Sequence, residues 1–112
     1  MAFYQQLIIE AGATYNGLQF QYLEDDEVTP VDLTGYTAKM HVRLNPSSPL
    51  VVEVIPTIEV STGTISIEMS AAQTGLLTEP RYAYGVELTG PGGDPVIRFV
   101  EGEILAIPEV VY

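Results

Sequence analysis

Few residues in this sequence are equipped for chemistry. His41 is the single histidine, and cysteine is absent. A serine–histidine nucleophile could be built only around that one imidazole. Thiol nucleophiles, disulfides and Cys-ligated zinc are excluded, as are sites made of several histidines from one chain. The one carboxylate cluster is Glu24-Asp25-Asp26-Glu27. Oxygen ligands of this kind suit calcium, with Asp32 or Asp94 as further donors. The cluster lacks the alternating ligands and turning glycine of an EF-hand, and a solvated hairpin loop is the simpler reading. Gly90-Pro91-Gly92-Gly93 has neither the lysine nor the following helix of a phosphate loop, and it reads as a turn. The residues predict a protein that is not an enzyme and needs no cofactor or metal.

Charge narrows the partners. Four Lys and Arg stand against 15 Asp and Glu, a net charge of −11 in 112 residues. Binding to a phosphate backbone requires a basic footprint that this chain lacks. An anionic membrane surface would repel it. The expected partners are therefore proteins, with no nucleic acid and no membrane. Three of the basic groups, Lys39, His41 and Arg43, alternate along one stretch. Such a row can pair with carboxylates across a sheet or meet another subunit, and the sequence leaves both open. Tyr82 and Tyr84 share an alternating face with Val86 and Leu88, which suits core packing better than a ligand platform.

The elements that must position these residues are short strands. Residues 5–10, 14–23, 36–44, 50–55, 64–69, 81–89 and 96–107 each carry apolar alternation or a compact apolar run between turn signals. Tyr36, Ala38, Met40, Val42 and Leu44 form one face, with Lys39, His41 and Arg43 on the other. Ile58 and Val60 mark a further short strand. Alternation breaks in the last stretch, which predicts a bulge near Gly102. Ser70 and Gln73 have capping-box spacing, so residues 70–77 are the one helical candidate, held by Leu76 or Leu77. Strand spacing of roughly 8–12 residues predicts one all-β domain over 1–112. The expected form is an antiparallel β-sandwich of about seven to nine strands with one short helix. A small closed barrel is the alternative. No signal peptide or membrane span is visible in the sequence.

Four stretches carry a family likeness. They are Asp32-Leu33-Thr34-Gly35-Tyr36-Thr37-Ala38-Lys39-Met40-His41-Val42-Arg43, then Gly63-Thr64-Ile65-Ser66-Ile67-Glu68-Met69-Ser70-Ala71-Ala72-Gln73-Thr74, then Arg81-Tyr82-Ala83-Tyr84-Gly85-Val86-Glu87-Leu88-Thr89, and finally Pro91-Gly92-Gly93 with residues 96–102. Together they resemble the immunoglobulin-like domains of tailed-bacteriophage baseplate upper proteins and tail-fibre-associated proteins, over nearly the whole chain. Gly85 stands where that family often has Asp, and Asp94-Pro95 lengthens the hairpin. The resemblance implies a virion structural protein made in a host cytoplasm. It would be an adaptor or attachment module for a tail fibre, acting through protein–protein contacts and as a homo-oligomer in the assembled particle. Candidate contact residues are Phe3, Tyr4, Lys39, His41, Arg43, Val110, Val111 and Tyr112. The alternative is a calcium- or carbohydrate-dependent, adhesin-like binding module.

Overall fold

Alternating side chains place the sheets. In Thr37–Arg43, Ala38, Met40 and Val42 are buried while Thr37 and Lys39 face water. In Arg81–Thr89, Tyr82, Tyr84, Val86 and Leu88 are buried. A period of two is what a sheet with one wet face requires. The structure, a computed structural model, describes residues 3–24, 26–94 and 96–108. Among them lie nine strands: β1 (Phe3–Tyr4), β2 (Leu7–Glu10), β3 (Tyr15–Gln21), β4 (Thr37–Arg43), β5 (Leu50–Val54), β6 (Thr57–Glu59), β7 (Thr64–Met69), β8 (Arg81–Thr89) and β9 (Val96–Ile107). One helical turn, α1 (Ala71–Thr74), joins β7 to β8.

Two sheets enclose the core. The larger runs β1-β9-β8-β4-β5, with β2 also on β9, and the smaller runs β3-β7-β6. This is the strand order of an immunoglobulin-type sandwich carrying one extra strand, β5, on its larger sheet. A main apolar cluster includes Ile9, Met40, Val42, Ile67, Met69 and Ile104, and a second holds Leu33, Ala38, Ile65 and Leu88. Phe99 touches both and meets Phe20 edge-on, with ring centroids 5.7 Å apart. Tyr82, near the start of β8, takes a hydrogen bond at its hydroxyl from the Glu79 N–H at 2.8 Å. That is the tyrosine corner found where such sandwiches turn into this strand. Tyr84 follows two residues later, where antibody domains have a disulfide cysteine. Here its hydroxyl donates to the Gln5 carbonyl and ties the first strands to the core.

Three expectations are corrected. The larger sheet is mixed, because β1 and β2 both pair parallel with β9. Alternation reports which face a residue takes, never the direction of its neighbour. The bulge lies at Phe99: Val86 pairs with Val100 and Glu87 with Arg98, so Phe99 is the extra residue. That extra residue lets Val100 point inward while Arg98 stays outside. Gly102 serves another purpose. A Cβ there would lie 2.2 Å from the Gln5 carbonyl oxygen, so only glycine lets the chain between β1 and β2 run so close against β9. Finally, Leu44, Ile55 and Val60 fall just outside their strands and are exposed.

Ser70 caps α1 and Gln73 closes the capping box, as the spacing requires. Leu77 is the leucine that is buried, while Leu76 is exposed. Burying one such side chain contributes roughly 1.5–3 kcal/mol, more than a four-residue helix supplies alone. Thr74, fully buried, donates its hydroxyl to the Ala13 carbonyl at 2.7 Å.

Candidate contact face

The outward side of the larger sheet collects the predicted residues. Lys39, His41 and Arg43 point out from β4. Register then aligns each with neighbours on the adjoining strands. Lys39 lies beside Glu87 and, across β8, Arg98. His41 lies beside Glu53 on β5 and Gly85 on β8, followed by Glu101 on β9 and Tyr4 on β1. Arg43 lies beside Leu50, Ala83 and then Glu103. These three rows cross the strands like rungs.

The middle column explains the relief. On β8 the outward residues between Arg81 and Glu87 are Ala83 and Gly85. With nothing larger standing there, β8 becomes the floor of an open trench of about 410 Å³. Lys39, His41 and Arg43 form one bank, and Arg98 and Glu101 line the other. A second depression continues it past Arg81, Glu103 and Tyr4. Every Lys and Arg of the protein (Lys39, Arg43, Arg81 and Arg98) lies on this face. The other ends of the molecule are left to carboxylates.

Local bonds hold the banks in place. His41 Nε2 stands 2.7 Å from a Glu53 carboxylate oxygen. Arg43 donates to the Ser48 carbonyl at 2.9 Å, fixing the β4–β5 hairpin and leaving most of its guanidinium donors open. Arg81 and Glu103 are 3.8 Å apart and solvated, a contact worth little in stability. The expected cross-strand pairing of this row is thus present at His41. Tyr4 is 68% exposed, at the rim of the same trench. Of Phe3 only the pairing with Val100 is described. Val110, Val111 and Tyr112 lie outside the described residues. Sequence reading missed Glu53, Glu101, Glu103, Ala83 and Gly85. The signal was the small pair Ala83 and Gly85 alternating within a strand otherwise made of large residues.

The acidic loop has internal work. Asp26 accepts from the Thr29 hydroxyl, the Thr29 N–H and the Val28 N–H. These bonds favour the carboxylate and hold it below its ordinary titration range. Asp32 is lowered in the same way by the Thr34 hydroxyl and N–H. Asp25 lies outside the described residues. Among the described residues no group of three or more His, Asp or Glu is disposed to hold a metal ion. Tyr84 is pushed up, by burial first and then by the phenols of Tyr15 and Tyr4. Burial likewise raises Tyr15.

Fold and face together define an immunoglobulin-type sandwich that presents a charged, trenched sheet to its surroundings. No protein-family model matches this sequence, and neither does any curated protein.

Proposed function

We propose that this protein is a structural module of a bacteriophage tail or baseplate, an adaptor or attachment piece for a fibre that works through protein–protein contacts. The observation that supports this reading is the trench. It gathers all four Lys and Arg side chains of a chain of net charge −11 onto one sheet face. A row of cations among solvated carboxylates adds little to stability, so its concentration there suits recognition. Charge patterns across interfaces set register and exclude wrong partners. The trench is open and shallow, unlike the deep, mostly apolar pockets that hold small molecules. The likeness of residues 32–43, 63–74, 81–89, 91–93 and 96–102 to tail-associated sandwich domains suggests the biological setting, by analogy of sequence alone. Its partners are other tail, baseplate or fibre proteins and further copies of itself.

The test is composition of the particle. Tailed particles purified from the source of the gene and analysed by mass spectrometry should contain this chain in stoichiometric amount. Its absence from intact particles removes the tail assignment.

A further inference from the structure

We infer that Asn16 is a site of self-modification, where the folded chain converts an asparagine into isoaspartate and aspartate without an enzyme. This stands whatever the outward face of the larger sheet meets. The chain has two asparagines, in Asn16-Gly17 and Asn45-Pro46. Asn16 is exposed on β3. It lines an open depression of about 230 Å³ together with Glu10, Tyr15 and Ile107, so its amide meets solvent.

The reaction needs only these two residues and water. The Gly17 nitrogen gives up its proton and attacks Asn16 Cγ. A C–N bond forms and closes a succinimide ring, and the side-chain amide leaves as ammonia with that proton. Water then opens the ring. Breaking the bond from nitrogen to Cγ leaves aspartate. Breaking the bond from nitrogen to the Asn16 main-chain carbonyl leaves isoaspartate, whose main chain runs through Cβ and Cγ. Nothing is oxidised or reduced. Glycine suits the second position, because no side chain crowds the attacking nitrogen and its backbone turns freely.

A strand ordinarily guards such a pair, since ring closure must swing the Asn16 main chain out of the extended conformation. Here the guard is weak for two reasons. Among the described residues β3 has one neighbour, β7, so its other edge carries no ladder. The ladder to β7 also breaks at this dipeptide. Tyr15 pairs with Met69 and Leu18 with Ile67, so Asn16 and Gly17 together oppose Glu68. Such a bulge disrupts the ladder locally, and weakly bonded segments open at low cost. Asn45 is the control within the chain. Pro46 has no N–H to give up, and the Asn45 side-chain oxygen accepts from the Ser47 N–H at 3.0 Å. Conversion of Asn16 adds one negative charge to the net −11.

The test is incubation of the folded protein at physiological pH and temperature, followed by anion exchange and peptide mass spectrometry. Isoaspartate is read by enzymatic methylation of its free carboxyl. A more acidic species should accumulate with first-order kinetics, release one ammonia per chain and map to Asn16, mostly as isoaspartate. Asn45 should stay intact. Asn16→Gln, whose longer side chain would need a larger ring, should keep the wild-type melting temperature and lose the acidic species. A folded protein that keeps its Asn16 amide while the same chain reacts in urea overturns the inference, because β3 then guards the pair. So does acid at Asn45 appearing as fast as at Asn16, since that is direct hydrolysis without ring closure. The particle analysis answers separately and bears on the tail reading alone.

Discussion

Tyr84 ties the first strands to the core with a single hydroxyl, and its environment sets a pH limit. Its pKa is raised from the ordinary 10.0, so above that pH the unfolded chain ionises and the folded one does not. Stability from this site is whole below pH 10 and declines as pH rises further. Tyr84→Phe loses the hydrogen bond to Gln5 and should cost about 1 kcal/mol at neutral pH. Urea denaturation should show that deficit shrinking above about pH 10, because the variant has no phenol there to ionise. Asp26 has the opposite sign. Its lowered pKa gives a contribution present above the ordinary 3.8 and lost as pH falls through the folded value. Asp26→Ala should melt earlier than wild type at neutral pH and match it in strong acid. At this scale the sequence was readable where a residue speaks for itself. The Ser70 and Gln73 cap could be seen from spacing alone, whereas the full burial of Thr74 could not, because its acceptor, Ala13, lies far away in the chain.

Elements depend on two local devices. The capping box at α1 holds a helix too short to stand alone, and Ser70→Ala should cost about 1 kcal/mol in chemical denaturation. Gly102 allows the chain between β1 and β2 to lie close against β9. Gly102→Ala would place a methyl against the Gln5 carbonyl, 2.2 Å away. Overpacking of that order costs roughly 1–3 kcal/mol. Hydrogen exchange should locate the damage, with Gln5 and the β2 amides losing protection before those of β4 and β8. The buried faces of β2, β4, β7 and β8 were legible because one wet face imposes a period of two. The parallel direction of β1 and β2 was hidden, since pairing partners are chosen by the whole chain. The Phe99 bulge was misplaced for a related reason. Alternation fails from Phe99 onward, and Gly102 is the more conspicuous residue.

Across the whole molecule, the candidate face was half legible. Lys39, His41 and Arg43 declare themselves on one strand. Their acidic counterparts Glu101 and Glu103, and the floor at Ala83 and Gly85, become neighbours only through the registers of β8 and β9. The parallel pairing of β2 with β9 has a mechanical consequence. Leu7 through Glu10 run beside Ile104 through Ile107 in the same direction, so the described chain leaves the sandwich at opposite ends. Tension applied at Phe3 and Pro108 would slide these strands along one another and load all four register pairs at once. Tension between Asn45 and Pro108, which emerge at the same end of the sheet, would peel strands apart one hydrogen bond at a time. Optical-trap rupture should therefore need more force in the first geometry than in the second. A load carried between Phe3 and Pro108 would therefore meet the domain along its strongest line.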